Sequence, residues 1–146
     1  MDHHAPDELA VACVDTMWAT DAASRSLGMS VVAVRSGYAQ VSMTVRPDMV
    51  NGFGICHGAL VSAVADSAFA FACNTYNDVT VAAGFDVVLV QPAHEGDVLV
   101  ATAVERVRSG RSGVYDVTVE VGGVTVAEFR GRSRSLGRPI LGSEAR

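Results

Sequence analysis

Apolar and polar residues recur at two different periods along this 146-residue chain, and the switches between them mark its elements. Over residues 7–26, Leu9, Cys13, Met17 and Trp18 recur near every 3.6 positions, which predicts a helix. Asp7 is placed to cap it, Glu8 adds negative charge at its positive end, and Gly28 is placed to stop it. The period then drops to two. Met29–Val34 and Ala39–Val45 are expected strands around a turn at Arg35-Ser36-Gly37-Tyr38. Val41, Met43 and Val45 alternate with Ser42 and Thr44, so one face is buried. Arg46-Pro47-Asp48 ends the second strand, because proline cannot donate to a ladder. Residues 48–56 are expected as a loop.

The next segment has neither period. From Gly58 to Thr75 the chain is apolar nearly all round, with alanine at 59, 63, 65, 68, 70 and 72 and Ser62 and Ser67 between them. A helix of that kind is normally buried. Four strands are expected after it, over 79–90, 98–108, 112–121 and 124–135. Gly96-Asp97, Ser109-Gly110 and Gly122-Gly123 supply the turns. The short connections imply an antiparallel meander. The whole chain, 1–146, is therefore expected to be a single α+β domain in which one antiparallel sheet wraps one long helix, with the first helix packed outside. The tail after Gly137 is expected to be loosely ordered.

Composition narrows the function. The net charge of −5 argues against a nucleic-acid binder. Cys13, Cys56 and Cys73 are odd in number and include no C-x-x-C pair, so neither a disulfide framework nor a zinc site is suggested. The histidines at 3, 4, 57 and 94 have no metal spacing, and no metal or cofactor is expected. The acidic N-terminus lacks the pattern of a signal peptide. The longest apolar run, about 16 residues, is interrupted by Asp66 and is short for a membrane span. A cytoplasmic, non-membrane protein is the expectation.

Candidate chemistry concentrates in residues 51–77, where Asp66 is the one formal charge between Gly58 and Asn77. A carboxylate in an apolar helix is costly unless compensated, which makes it a functional candidate. The N–H groups of the first helical turn, with Gly58 allowing close approach, suit a developing oxyanion. Asp66 lies eight residues on, roughly 12 Å along the axis. A second, antiparallel copy of the helix would bring one subunit's Asp66 to the other's Gly58. The alternative is an Asp bonded to a backbone group or a serine. His57 either donates to a ligand or pins its loop. Asn51 suits a tight turn and also the orientation of water or substrate. Cys56 and His57 are adjacent, and their side chains diverge, which disfavours a nucleophile pair. The glycines of G-F-G-I-C-H-G at 52–58 do not match the dinucleotide fingerprint. Arg130, Arg132 and Arg134 share one strand face, as either a phosphate site or a solvated charge stripe.

Residues 51–74, N-G-F-G-I-C-H-G-A-L-V-S-A-V-A-D-S-A-F-A-F-A-C-N, resemble the hotdog-fold thioesterases of the phenylacetate-degradation (PaaI-like) type. The likeness extends to W-A-T-D-A-A-S-R-S-L-G at 18–28, G-V-Y-D-V at 113–117 and F-R-G-R-S-R-S-L-G at 129–137. The resemblance implies a hotdog fold with helix 58–75 at its centre, homodimers with interface sites, and pairing into homotetramers. It implies hydrolysis of acyl-CoA thioesters, with phenylacetyl or ring-hydroxylated phenylacetyl groups expected. By position, Asp66 is the catalytic carboxylate, as base or nucleophile. The Gly58 N–H polarises the thioester carbonyl, while Asn51 and His57 place substrate or water. Coenzyme A belongs to the substrate. Arg130, Arg132, Arg134 and Phe53 are the candidate substrate contacts. Two departures stand out. Ala59 replaces the second glycine of His-Gly-Gly, and Val81-Ala82-Ala83-Gly84 lacks the hydroxyl some relatives carry there. The rivals are a hotdog hydratase or dehydratase, whose D-x-N-P-x-H type motif is absent, a non-catalytic acyl-CoA-binding protein, and a structural partner in a larger complex.

Overall fold

The computed structural model describes residues 5–142. The first predicted helix is two helices, α1 (Pro6–Thr20) and α2 (Ala22–Ser26). The break falls at Asp21, whose side chain accepts from the Ser24 N–H and so caps a new helix where the apolar period reads straight through. Asp7 does not cap α1. Ala5 holds that position with Pro6 in the first turn, and Asp7 instead accepts the Ser36 N–H at 3.0 Å. Gly28 adopts φ +72°, the left-handed stop expected of it.

Strands β1 (Ser30–Arg35) and β2 (Tyr38–Thr44) follow, then a single 3-10 turn at Pro47–Met49. The central helix α3 spans Gly58–Cys73, and β3 (Thr80–Leu89), β4 (Val98–Ser109), β5 (Ser112–Val121) and β6 (Val124–Ser135) complete the chain. All six strands form one antiparallel sheet in the order β1-β2-β4-β5-β6-β3. The meander therefore covers β4 to β6 only. β3 sits beyond β6, at an edge, and not beside β4. Residues 138–142 are tied down: the Asn77 Oδ1 accepts from the Ile140 and Leu141 N–H groups.

Helix α3 lies in the hollow of the sheet and packs against β1 through β6. Its apolar residues Val64, Ala65, Ala68, Phe69, Phe71 and Ala72 are at most 1% exposed. Phe69 is wedged between Tyr115 of β5 and Phe129 of β6, with ring centroids 5.7 and 5.8 Å away. Gly131 makes room for it, since a Cβ there would stand 2.7 Å from three Phe69 ring atoms. Burying a side chain of this size contributes about 1.5–3 kcal/mol, so the alanine-rich helix is held in register by its few large residues. That register fixes where Gly58 and Asp66 point.

Candidate active site

The chain enters α3 through a compact loop. Asn51 Oδ1 accepts from the N–H groups of Phe53 (2.9 Å) and Ile55 (3.4 Å), while the Asn51 N–H donates to the Ile55 carbonyl at 2.8 Å. Asn51 is thus first a loop-former. Its amide nitrogen makes no hydrogen bond among the described residues. The His57 N–H donates to the Met49 carbonyl at 2.8 Å and fixes the loop against the 3-10 turn.

His57 is the cap of α3. Its Nδ1 accepts the Ala59 N–H at 3.3 Å. With Nδ1 as acceptor, the proton of the neutral ring sits on Nε2, leaving an exposed donor. This cap selects among the unpaired N–H groups of the first turn. Ala59 is satisfied, and the Gly58 N–H has no partner among the described residues. Gly58 opens onto a groove of about 390 Å³ lined by Asn51, Ile55, Val61, Leu89 and Pro92. Leu89 closes over it, for a Cβ on Gly58 would come within 2.6 Å of the Leu89 Cδ1. The result is one free, dipole-assisted donor beside an apolar wall.

Asp66 is half-buried, two turns into the helix. No hydrogen bond satisfies its carboxylate among the described residues, so the bland alternative of a backbone- or serine-bonded Asp does not hold. Burial pushes its pKa above the ordinary carboxylate value, and the negative charge of Asp21 raises it further. Asp21 also accepts the Ser24 hydroxyl at 2.7 Å, and Ser24 Oγ shares a 2.7 Å hydrogen bond with Ser67 Oγ, next to Asp66. Sequence reasoning does not single out Asp21. The signal that could have found it is the D-x-x-S spacing of a helix cap inside an apparently continuous helix.

The other candidates lie apart. Phe53 is 91% exposed at the loop tip. Arg130 and Arg132 are on the outer face of β6, where Arg130 bonds Asp116 at 2.6 and 2.9 Å and Arg132 bonds Asp86 at 2.9 Å. Arg134 shares that face and has no ion pair among the described residues. Cys56 is buried, and burial raises its thiol pKa, which disfavours a nucleophilic thiolate. His94 faces Asp97. His3 and His4 lie outside the described residues. Among the described residues, no group of His, Cys, Asp and Glu is arranged to hold a metal, and no helix is long and apolar enough to cross a membrane.

A free oxyanion donor and a separate carboxylate of raised pKa suit water-dependent acyl transfer. Comparison with known proteins agrees. The thioesterase superfamily model matches residues 53–128, just over half of the chain. The chain belongs to the thioesterase superfamily. It is 39% identical over 127 residues to the acyl-coenzyme A thioesterase PaaI of Escherichia coli (strain K12), covering 86% of this chain and 91% of that protein. The structure of the E. coli PaaI protein from the phenylacetic acid degradation operon matches with a TM-score of 0.90 at 36% identity, over 91% of this chain and 97% of that one. The TT0310 protein of Thermus thermophilus matches at 37% identity and a TM-score of 0.75, over 77% and 96%. This thioesterase is a hotdog-fold enzyme of the PaaI-like acyl-CoA thioesterase type. The span matched by the family model begins within the entry loop, at Phe53, and includes Gly58 and Asp66.

Proposed function

We propose that this thioesterase hydrolyses arylacetyl-CoA thioesters, with phenylacetyl and ring-hydroxylated phenylacetyl groups as preferred acyl chains, in a two-fold homodimer that pairs into a tetramer. Each site takes Gly58, Asn51 and His57 from one subunit and Asp66 from the other. The observation that carries this reading is the separation of the free Gly58 N–H from Asp66, roughly 12 Å of one rigid helix. No single carbonyl reaches both within one chain. Strand β3 supports a partner on the same side. It is an edge strand, and Val81, Phe85, Val88 and Leu89 on it are 44–62% exposed. An exposed apolar edge is a liability unless something covers it.

The chemistry follows from the placement. The thioester carbonyl oxygen accepts the Gly58 N–H, and the exposed Nε2 of His57 is a second donor to the substrate. Asp66 takes a proton from water as the water oxygen attacks the carbonyl carbon. The tetrahedral oxyanion rests on Gly58. Its collapse breaks the C–S bond, and the departing thiolate takes the proton back from Asp66. A carboxyl whose pKa lies above the ordinary range is better matched to this base role than a normal one. Val81-Ala82-Ala83-Gly84 itself carries no hydroxyl, and burial first, then the negative charge of Asp21, shapes the environment of the base.

The test is a panel of acyl-CoA thioesters with free-thiol detection. Arylacetyl thioesters are expected to exceed long-chain ones in kcat/KM. Preference for long chains refutes the acyl assignment. Absence of thiol release from every thioester, with acyl-CoA still bound, turns the reading to a binding protein.

A further inference from the structure

The hydroxyls between α2 and α3 have a fixed direction. Ser24 is 3% exposed, and its Oγ lies 2.7 Å from both Asp21 Oδ2 and Ser67 Oγ. Its one proton goes to Asp21, because a carboxylate only accepts. The contact with Ser67 then needs its proton from the other side, so Ser67 donates to Ser24. Donation runs from Ser67 to Ser24 to Asp21. A hydroxyl has one proton and two lone pairs. With its proton committed to Ser24, Ser67 Oγ offers only lone pairs to anything else, and it makes no other hydrogen bond among the described residues.

Asp66 offers lone pairs as well. Its carboxylate has no hydrogen-bond partner among the described residues. Asp66 and Ser67 are half-buried, whereas Ala65 and Ala68 on either side are fully buried against the sheet. Both side chains therefore leave α3 on the side away from the sheet, from Cα atoms about 3.8 Å apart across one peptide. Two acceptors side by side cannot satisfy each other. A molecule carrying two protons satisfies both, and the water consumed in hydrolysis is such a molecule. The alternative is that the serines only tether α2 to α3. The helix itself does not need them, since the Ser24 N–H bond to Asp21 Oδ1 at 2.9 Å caps α2 without either hydroxyl.

We propose that Ser67 Oγ is the second acceptor of the hydrolytic water, and that Ser24 and Asp21 are positioning residues that hold the Ser67 proton away from it. The inference rests on the reading of Asp66 as the base. One O–H of the water gives its proton to Asp66 as the oxygen bonds to the thioester carbon. The other O–H stays intact, donated to Ser67 Oγ, and is carried into the tetrahedral intermediate and then the product acid. A water held at both protons has its lone pairs turned outward, which is the orientation attack requires.

The test separates an acceptor from a tether, using thiol release from phenylacetyl-CoA. Ser67→Ala is expected to lower kcat roughly three- to tenfold, the worth of one neutral hydrogen bond, with KM unchanged. Ser67→Thr keeps the oxygen and restores kcat. Ser24→Ala keeps the backbone cap and the charge of Asp21, the charged group that acts on Asp66 among the described residues, but frees the Ser67 proton. That proton turns to Asp66 and favours its ionised form, so the acid limb of the kcat/KM profile moves to lower pH. A tether alone makes Ser67→Ala and Ser24→Ala act alike and leaves the limb unmoved. Either result overturns the proposal, as does wild-type kcat in Ser67→Ala. The same shift is read without turnover from the carbon-13 resonance of the Asp66 carboxyl, assigned as the one missing from Asp66→Asn. Should wild-type enzyme release no thiol from any thioester, the acyl-CoA reading fails, and this titration decides the orientation of Ser67. A midpoint lowered by Ser24→Ala supports it; an unmoved midpoint overturns it.

Discussion

Replacing Gly58 with proline removes the N–H at the proposed oxyanion site and puts the ring Cδ in its place. Gly58 is the first residue of α3, where proline is tolerated because that N–H has no intrahelical partner. His57 already holds φ −58° and ψ 131°, the extended conformation required of a residue before proline. The His57 cap on Ala59 does not involve the Gly58 nitrogen. A new Cβ stands 2.6 Å from the Leu89 Cδ1, the free end of a flexible side chain. Gly58→Ala imposes that same Cβ displacement and keeps the N–H, so it separates the effect of the Cβ from the change at nitrogen. Loss of one oxyanion donor costs about 2.7–4 kcal/mol, a hundred- to a thousand-fold in kcat. Initial rates of thiol release from phenylacetyl-CoA over a range of substrate concentrations read the effect. Gly58→Pro is expected to lose that factor relative to Gly58→Ala, mostly in kcat, with both variants folded by circular dichroism. A Gly58→Pro enzyme within a few-fold of Gly58→Ala refutes the role of this N–H.

The same geometry fixes the outcome of three other substitutions. Asp66→Asn lowers kcat by roughly a hundred- to ten-thousand-fold, the range for loss of a general base, and does not destabilise the fold. The sign is fixed by the raised pKa: folding disfavours ionised Asp66, so wild-type stability falls as pH rises from the unfolded value of 3.8 through the folded one. The Asn variant lacks that loss, so its Tm at pH 7 equals or exceeds wild type and the difference closes in acid; a lower Tm at pH 7 contradicts the account. Asp21→Asn keeps a good helix cap while removing a negative charge, and is expected to move the acid limb of the kcat/KM profile to lower pH; an unmoved limb removes Asp21 from the account. Gly131→Ala overpacks Phe69 against Tyr115 and Phe129 and is expected to cost about 1–3 kcal/mol in urea unfolding; a neutral result means that α3 shifts freely in its sheet.

The architecture was legible because each element carries one period. The alternating strands around Val41 and Tyr115 and the all-round apolar stretch of α3 follow from burial on one face or on all sides. Turn glycines fixed most boundaries within a residue or two. Two features were hidden for physical reasons. The break at Asp21 is made by a side chain capping a backbone N–H three residues on, which leaves the apolar spacing intact. The position of β3 beyond β6 depends on pairing across the sheet, to which a local pattern is blind. At the site, Asp66 was visible as a lone charge, and the His-Gly step as a helix start. The competition between His57 and the substrate for N–H groups was not, since it turns on a ring orientation. The hydroxyl chain from Ser67 to Asp21 was equally invisible, because Ser24 and Ser67 meet only once α2 is docked on α3.

The central claim is that one site uses two chains, and complementation tests it most directly. Gly58→Pro and Asp66→Asn chains, each nearly inactive alone, are co-expressed with different tags and assembled at random. Half of the dimers are then mixed, and each mixed dimer regains one intact site, giving about a quarter of wild-type activity. In a tetramer of two such dimers, purification through both tags in sequence removes only the single-type assemblies and raises this to about two-sevenths. Mixed dimers that remain as inactive as their parents contradict the account, for Gly58 and Asp66 would then serve a site within one chain.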